Sequence, residues 1–480
     1  MPFALDPDDV RRAFSILGER LATLDARVDG LPISPGGGVP GPDRTGAVPL
    51  AVDIPQDPPR ALGAEGPLTA LLDPTMAELD RGMIQVTARR YFGLFNPAPT
   101  AASALADALV AAYNPQLATT QSAPYLVAAE TAILDAMAER LRMPGAEGTF
   151  TSGGAEANAS ALVLALQRAF PDLRKKGLRG VDADPRVYVS TEGHDTFAKA
   201  VVAHGLGEDA LRPVAADGAQ RMRPEALSAA MVEDIRAGRR PVLVVGTLGT
   251  TTSGAIDPLA ILGRMARKHG AWFHVDAAYG GILGLTPEGA PYLTGLEAAD
   301  SITCDAHKIL HAPMAAGMLL VKHRGLLGEA FRVPASYMPR RSSDDPFSRS
   351  LQWSRRSMGL KVLLPLQLFG WEGFREITEG LFALGRALRA GLTAAGLTVV
   401  NDTPLPIACI THAKGGPGLE AMRRSALVRA NAWTSLGRLS SGTRVLRACV
   451  TNHRTDASDV AALVEALREG HDEALAESGA

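Results

Sequence analysis

Short apolar runs alternate with longer amphipathic stretches through the middle of the chain, from about residue 100 to residue 321. The amphipathic stretches have apolar positions at helical spacing, and the apolar runs are short enough to be strands. These runs lie at 186–190, 241–246, 272–275, 301–304 and 316–321. Strands that alternate with helices form a mostly parallel sheet covered on both faces, so this pattern predicts an α/β fold.

The N-terminal part of the chain has a different pattern. Apolar side chains recur at helical spacing within the first 30 residues, which predicts one amphipathic helix. They are Val10, Phe14, Leu17, Leu21 and Leu24. Residues 31–66 are rich in proline and glycine and include Pro35-Gly36-Gly37-Gly38, so they predict an ordered wrap or a linker. A helix ahead of such a segment often packs on a neighbouring subunit.

The chain after Leu360 predicts a second, smaller α/β unit. A long helical stretch is followed by strand-like runs at 397–401, 406–411 and 444–450, and then by a helix from about Asp456 to Ala476. The whole pattern predicts an N-terminal helical segment (1–85), a large α/β domain (86–360) and a small C-terminal α/β domain (361–480).

The composition fits a protein with a large core and no strongly charged partner. Hydrophobic residues make up 46% of the 480 residues and aromatic residues only 5%, so alanine, leucine and valine must build most of the core. The net charge is −2, from 49 basic and 51 acidic residues. This balance argues against a nucleic-acid binder and against a polybasic membrane surface.

The cysteines predict reduced thiols in the core of a cytoplasmic protein. Cys304, Cys409 and Cys449 are few, odd in number and lie in or beside apolar runs, which argues against a disulfide framework. No spacing typical of a zinc site is present, so no metal is expected. We also expect no secretory leader and no membrane span, because the first residues lack a basic and apolar leader and no run of about 18 apolar residues occurs.

Two motifs in the second half of the chain carry the most specific chemistry. The segment His274–Gly281 places Asp276 at the end of a strand-like run, and the segment Cys304–Lys308 places a lysine behind a histidine. Pyridoxal phosphate needs both groups, because a lysine amine forms a Schiff base with its aldehyde and a carboxylate keeps its pyridine nitrogen protonated. Either motif alone also fits a solvated lysine or a turn aspartate, but together they favour a pyridoxal phosphate site.

A glycine pair precedes a helical pattern that runs from Ala159 to Phe170. Gly153 and Gly154 lie in the segment Thr151–Asn158, where free backbone N–H groups and the helix dipole would favour a phosphate. A tight turn explains a glycine pair equally well. The segment is not a Walker loop, because no Gly-Lys-Ser/Thr follows.

Two further strand ends carry polar side chains. His194 follows the strand-like run at 186–190, and Thr247 closes the run at 241–246. Ligands of open α/β sheets bind at the carboxyl ends of the strands, so both residues are candidates for the same site. A surface histidine and a threonine-rich turn remain the simpler explanations for each residue alone.

These motifs resemble, in content and in order, those of the group II pyridoxal-phosphate-dependent amino acid decarboxylases. That family includes aromatic amino acid, glutamate, histidine and diaminobutyrate decarboxylases. The resemblance covers roughly Arg90 to Arg454. The matching segments are 91–97, 152–158, His194 with Lys199-Ala200, 247–251, 274–281, 299–301, 307–308, 354–356, 360–361 and 445–447.

The resemblance implies a fold, an activity and a role for each matching residue. The fold would be the fold type I of pyridoxal-phosphate-dependent transferases, assembled as a homodimer, and the activity L-amino acid decarboxylation that yields carbon dioxide and an amine. Lys308 resembles the lysine that binds the cofactor covalently, Asp276 the partner of the pyridine nitrogen, and His194 the histidine stacked on the ring. The other cofactor-binding positions are Gly154, Ala155, Thr247, Ala278 and His307.

The chain departs from the family at the expected substrate pocket. The loop 342–350 lacks the family's tyrosine, which protonates the substrate carbon; Phe347 lies nearest its place and Tyr337 precedes the loop. The aromatic wall of the pocket is replaced by Gln116, Ala118 and Thr119. These departures argue against aromatic substrates. They leave two alternatives to simple decarboxylation, namely an aldehyde-forming oxidative deaminase and a catalytically weak homologue that binds the cofactor.

Overall fold

A computed structural model describes residues 6–34, 66–333 and 345–476 of the chain. Helices and strands alternate through the middle of the chain. The helices are α1 Pro7–Ala22, α2 Leu24–Asp29, α3 Pro67–Gly82, α4 Ala101–Tyr113, α5 Pro124–Arg140, α6 Gly154–Ala169, α7 Leu173–Lys176, α8 Thr196–Ala203, α9 Pro224–Arg236, α10 Leu259–Lys268, α11 Ala306–Ile309, α12 Leu326–Phe331, α13 Leu360–Ala394, α14 Gly416–Ala430 and α15 Ala457–Ala476. The strands are β1 Tyr91–Phe92, β2 Glu147–Thr151, β3 Pro185–Ser190, β4 Leu211–Val214, β5 Arg240–Thr247, β6 Trp272–Asp276, β7 Ser301–Asp305, β8 Gly317–Val321, β9 Thr398–Val399, β10 Ile407–Thr411, β11 Trp433–Arg438 and β12 Arg444–Cys449.

The larger sheet has seven strands in the order β2-β8-β7-β6-β5-β3-β4. The strands from β7 to β4 run parallel, whereas β8 is antiparallel to both β7 and β2. The predicted α/β fold with a mostly parallel sheet is therefore confirmed. The five strands predicted from the apolar runs are β3, β5, β6, β7 and β8, and each matches its prediction to within one residue at either end.

The register of the central strands aligns their carboxyl ends. Thr247 at the end of β5 pairs with Asp276 at the end of β6, and Asp276 pairs with Thr303 in β7. Every residue of β6 and β7 is buried, as expected for parallel strands covered on both faces. Side chains at these strand ends consequently meet at one edge of the sheet.

The smaller sheet has five strands in the order β1-β11-β12-β10-β9. β1 is parallel to β11, and the other neighbours are antiparallel. The sheet thus takes one strand from Tyr91–Phe92, within the segment assigned by sequence to the large domain. The domain boundaries themselves stay a prediction.

The N-terminal prediction of one helix is wrong in detail, because α1 ends at Ala22 and α2 begins at Leu24. The Thr23 hydroxyl donates to the carbonyls of Glu19 and Arg20 and so competes with continuation of the helix. The segment 35–65, with its glycine run, lies outside the described residues.

Other elements also differ from the predicted pattern, and β1, β2 and β4 were not predicted. α6 begins at Gly154, five residues before the predicted start, because the glycine pair is typical of a turn and gave no helical pattern there. α13 contains a kink at Gly370, whose φ of 62° only glycine adopts freely. β11 was not predicted, since only Thr434 among its six residues is buried and its apolar content is low.

Buried cysteines and apolar side chains fill the core, as the composition indicates. Cys304, Cys409 and Cys449 are all unpaired and buried. Burial raises the pKa of each thiol, which fits core residues and not nucleophiles. Within the described residues, none of the helices combines the length and the apolar character that a membrane crossing needs.

Candidate active site

Asp276 and Lys308 lie at the same edge of the larger sheet. Asp276 is the last residue of β6, and Lys308 lies in α11, the short helix that directly follows β7. The two strands are parallel neighbours, so their carboxyl ends bring the two motifs together. The site that the sequence predicted from two separate motifs is thus assembled by adjacent strands.

The Asp276 carboxylate is 8% exposed and held by two N–H donors. Asn158 Nδ2 in α6 donates to Asp276 Oδ2 over 2.9 Å, and the Ala278 amide donates to Oδ1 over 3.1 Å. Hydrogen bonds to a carboxylate favour its ionised form. This arrangement can present a fixed negative charge to a cationic ring nitrogen.

The Lys308 ammonium is paired with Asp305, the last residue of β7. Lys308 Nζ lies 2.8 Å from Asp305 Oδ2, and His307 Nε2 lies 3.6 Å from the same oxygen. Asp305 is 1% exposed, and its other oxygen has no hydrogen-bond partner among the described residues. A buried carboxylate therefore anchors the lysine at the edge of the sheet.

The start of α6 forms a cradle beside this ion pair. The amides of Gly154 and Ala155 belong to the first turn and have no partner within the helix. A Cβ on Gly154 would lie 3.2 Å from Asp305 Oδ2 and 3.4 Å from the Ala278 Cβ, and one on Gly153 would lie 3.4 Å from the His307 ring. Larger residues would fill this space, so the glycines keep it open.

His307 presents an N–H at the cradle. Its Nδ1 accepts a hydrogen bond from the Ala316 amide over 3.1 Å, so the proton of the neutral ring lies on Nε2. Burial lowers the pKa of this histidine, which favours the neutral ring. His307 can therefore donate to an anion without carrying a charge.

His194 lies in the exposed turn between β3 and α8. Its Nδ1 accepts from the Thr196 amide over 3.1 Å, which leaves the proton of a neutral ring on Nε2. The Asn158 amide donates to Thr196 Oγ1 as well as to Asp276, so the His194 turn is tied to the site. The described contacts place the turn, but not a stacking partner for the ring.

Thr247 lies beside Asp276 and is fixed by a buried carboxylate that the sequence did not single out. Asp257 Oδ2 accepts from the Thr247 amide over 2.8 Å, and Oδ1 accepts from the Met222 amide. Burial raises the pKa of Asp257 to about 6. The Leu248 amide donates to the Asp276 carbonyl, so the ends of β5 and β6 are held together.

The residues of the expected substrate pocket pack against one another and against Trp353 and Ser354. Gln116 is exposed and donates to Ser354 Oγ over 2.8 Å, whereas Ala118 and Thr119 are buried. Phe347 is also buried, with its ring 4.9 Å from that of Trp353 and its amide donating to the Ala118 carbonyl. Tyr337 and residues 342–344 lie outside the described residues, so the role of that loop stays a prediction.

Sequence reasoning missed the roles of Asn158, Asp305 and Asp257. Asn158 and Asp305 lie inside recognised motifs but were given no role. A polar residue one helical turn after Gly154 shares its face of α6, and an aspartate three positions before Lys308 can reach it on a short helix. These spacings were the available signals. Nothing in the sequence pairs Asp257, ten positions downstream, with Thr247.

The donor set fits pyridoxal phosphate. The lysine amine matches the aldehyde of the cofactor, and the buried carboxylate with its two donors matches the pyridinium nitrogen. The helix N-terminus, with its two glycines, matches the phosphate. The groups that would hold the cofactor are Lys308, Asp276, the amides of Gly154 and Ala155, and His307. The buried Asp305 oxygen, which finds no partner in the described part of the chain, further marks a polar space at this point.

Comparisons with known proteins agree with this chemistry. The chain matches the pyridoxal-dependent decarboxylase conserved domain over residues 56–410. It is 37% identical to an L-2,4-diaminobutyrate decarboxylase of Rhizobium meliloti over 281 residues, which cover 57% of this chain and 55% of that protein. It is 33% identical to the acidic amino acid decarboxylase GADL1 of Mus musculus over 294 residues, which cover 60% and 53%. The chain thus spans about half the length of the curated relatives it matches.

The fold is shared with solved structures over nearly the whole chain. Mouse CSAD in its apo form superposes with a TM-score of 0.85 at 22% identity and covers 97% of this chain and 99% of its own. This likeness shows the fold alone, whereas the domain match extends over most of the sequence. The chain belongs to the family of pyridoxal-dependent decarboxylases, and pyridoxal phosphate is its cofactor.

Proposed function

We propose that the protein is an L-amino acid decarboxylase that releases carbon dioxide and an amine. The observation that carries this proposal is the meeting of Lys308, Asp276 and the α6 N-terminus at one edge of the larger sheet. When bound, pyridoxal phosphate supplies an aldehyde that condenses with amines and a pyridinium ring that accepts electrons from the bond that breaks.

Asp276 and the cradle fix the position and the charge of the ring. Asp276 would keep a proton on the ring nitrogen, because Asn158 and the Ala278 amide hold its carboxylate in place. The first-turn amides of α6 and the His307 N–H bind the phosphate. With both ends of the cofactor held, the ring has one orientation relative to Lys308.

Lys308 and His194 have different tasks beside the ring of the cofactor. Lys308 would hold the cofactor and would give way to a substrate amine. Its Nζ lies 2.8 Å from Asp305 Oδ2, so Asp305 can bind the ammonium whenever the lysine is free. As the family resemblance implies, His194 would cover one face of the ring and exclude water there, and Ala278 would leave room on the other. The carboxylate of the substrate must stand perpendicular to the ring for its bond to break, and this enclosure selects that orientation.

We propose a substrate with a polar side chain. Gln116 and Ala118 replace an aromatic wall, so an aromatic substrate would lose apolar contact that is worth a few kcal/mol. The relatives named above act on diaminobutyrate and on acidic amino acids, which supports the same class.

A substrate screen tests the reaction and the alternatives together. Holoenzyme is incubated with diaminobutyrate, glutamate, aspartate, tyrosine and tryptophan, and carbon dioxide, amine and hydrogen peroxide are measured. Carbon dioxide and amine in equal amounts from a polar substrate support decarboxylation. Aldehyde, ammonia and peroxide formed at the expense of oxygen would show the oxidative reaction instead. No turnover of any amino acid, with the cofactor bound, would leave only a cofactor-binding homologue.

We further propose that the protein is a homodimer in which the N-terminal helices contact a second copy. Phe14 and Leu21, one heptad apart on α1, are 65% and 50% exposed, and Leu71 and Leu79 on α3 are about half exposed. Single exposed apolar residues are ordinary, but a stripe shared by two paired helices marks an interaction surface. A second copy of the chain would cover it.

We propose a cytoplasmic location. Its support is that the three cysteines are free thiols in the described structure, as expected in a reducing compartment. Fractionation of cells that express the tagged chain tests this, and recovery from an oxidising compartment would contradict it.

A further inference from the structure

A chain of buried hydrogen bonds leads away from Asp276 into the core. Asn158 Nδ2 donates to Asp276 Oδ2 over 2.9 Å, and Asn158 Oδ1 lies 3.1 Å from His274 Nε2. His274 Nδ1 lies 2.8 Å from Ser301 Oγ, and that oxygen lies 2.8 Å from Trp272 Nε1. None of the four residues beyond Asp276 is more than 2% exposed.

The chemistry of the two ends fixes the direction of the bonds that Asn158 and Trp272 make. A carboxylate only accepts, so Asn158 must turn its NH₂ toward Asp276 and its carbonyl toward His274. A carbonyl also only accepts, so His274 Nε2 must carry the proton. At the far end the Trp272 indole only donates, which leaves the Ser301 hydroxyl free to donate to His274 Nδ1. His274 is therefore a neutral ring protonated at Nε2.

The burial of His274 supports this state independently. The ring is fully buried, and burial lowers its pKa to about 4. Its other polar neighbour, Thr303 Oγ1, lies 3.3 Å from Nε2 and can accept a share of the same proton. A neutral ring with its proton on Nδ1 would have no donor at Nε2, so the Asn158 carbonyl would receive no hydrogen bond from it.

The orientation of Asn158 depends on His274. An Asn158 side chain rotated by half a turn would place its carbonyl 2.9 Å from the Asp276 carboxylate, where two acceptors repel. It would also place its NH₂ against the protonated Nε2. His274 thus blocks the wrong rotamer from one side while Asp276 selects the right one from the other.

We propose that Asn158 and His274 are positioning residues that hold the Asp276 carboxylate in place beside the cofactor's ring nitrogen, and so keep that nitrogen protonated. The inference rests on the proposed function only in that pyridoxal phosphate is the group beside Asp276. Neither residue touches the cofactor in this scheme, since both act through the carboxylate.

The test reads the ring nitrogen directly. Wild-type protein and four variants, Asn158→Leu, Asn158→Asp, His274→Gln and His274→Leu, are loaded with ¹⁵N-labelled pyridoxal phosphate. The ¹⁵N chemical shift of the ring, the dissociation constant of the cofactor, kcat and KM are measured. Asn401→Leu removes another buried amide, in the loop between β9 and β10, and controls for general destabilisation.

Loss of the Asn158 donor should move the ¹⁵N chemical shift of the ring nitrogen toward the value of the unprotonated ring. A hydrogen bond to a charged group contributes about 1.5–3 kcal/mol, so we expect kcat to fall by about 10–100-fold in both Asn158 variants. KM should change by less than about threefold, because the interaction lies behind the ring and away from the substrate. His274→Gln keeps a donor toward Asn158 and should stay near wild type, whereas His274→Leu should resemble Asn158→Leu.

Two results would overturn the proposal while the proposed function stands. One is an unchanged ring-nitrogen shift in a folded Asn158 variant. The other is identical behaviour of His274→Gln and His274→Leu, since His274 would then only fill space. If wild-type protein binds no pyridoxal phosphate, both this proposal and the proposed function are wrong.

Discussion

Asp305 Oδ2 lies 2.8 Å from Lys308 Nζ at the carboxyl edge of the larger sheet. Asp305 is almost fully buried, and a quarter of the Lys308 side chain is exposed. Removing one member of such a pair leaves the other charge without its partner, which costs more than removing both. The pair should therefore be detectable as a coupling in the protein without cofactor.

We expect Lys308→Met and Asp305→Asn each to lower the free energy of unfolding of the apo protein by about 1–3 kcal/mol, with the lysine's exposure limiting the effect. The double variant should lose less than the sum of the two single losses. Denaturant unfolding of all four proteins measures the coupling. Additive losses would show that the two charges do not interact in solution.

Lys308 should be the covalent attachment site of the cofactor. Borohydride reduction of the holoenzyme, followed by peptide mass spectrometry, should place the label on the peptide that contains Lys308. Lys361, a buried lysine whose ammonium donates to the Met314 carbonyl, provides the control. Label should persist in Lys361→Arg and vanish in Lys308→Arg. Any other labelled lysine in wild type contradicts the assignment.

Asp276→Asn should remove the charge beside the ring nitrogen while it keeps the shape of the side chain. We expect kcat to fall by at least about 100-fold, which corresponds to about 2.7 kcal/mol of transition-state stabilisation. Thermal unfolding and circular dichroism establish that the variant is folded. Turnover near the wild-type rate in a folded Asp276→Asn protein would refute the role of the carboxylate.

Acid should destabilise the protein through buried histidines. Burial lowers the pKa of His274 to about 4, and burial with the neighbouring His453 lowers that of His311 to about 3. The unfolded chain binds these protons near pH 6.5, so it holds more protons than the folded chain below that pH. The contribution of these two histidines to the free energy of unfolding is thus fully present above pH 6.5. It is lost as the pH falls toward 3–4.

Each pKa unit is worth about 1.4 kcal/mol, so His311 alone should lower the free energy of unfolding by on the order of 3–5 kcal/mol over that range. His311→Asn should flatten the dependence on pH, and asparagine tolerates the φ of 48° found there. His323→Asn changes a half-exposed histidine and is measured beside it as the control. Equal slopes for wild type and His311→Asn would exclude His311 as a source of acid sensitivity.

The exposed stripe on α1 should control assembly. Light scattering of wild-type protein should give twice the chain mass of 50.3 kDa. Glutamate at Phe14 and Leu21 should shift the mass toward the monomer, because charges cannot be buried unpaired in an apolar interface. Leu178→Glu changes a leucine of similar exposure elsewhere and should leave the dimer intact. An active wild-type monomer at micromolar concentration would contradict the proposed assembly.

The sequence alone determined the class of the fold and the chemistry of the site. The apolar runs of the parallel strands are buried on both faces, so their lengths and order could be read without knowledge of their partners. Asp276, Lys308 and Gly154 lie at strand ends or a helix start, where local sequence marks the position. Because parallel strands share one carboxyl edge, the motifs also predicted that these residues meet.

The tertiary structure alone decided which other side chains hold Asp276 and Lys308 in place. Asn158 and Asp276 are 118 positions apart, and no local pattern states that a helix residue will donate to a strand-end carboxylate. His274 reads in sequence as one residue of a strand, and its neutral state depends on burial by β7 and α6. Periodicity shows which face of an element is buried but not what it packs against. Contacts between distant segments, and the charge states that burial imposes, therefore required the folded chain.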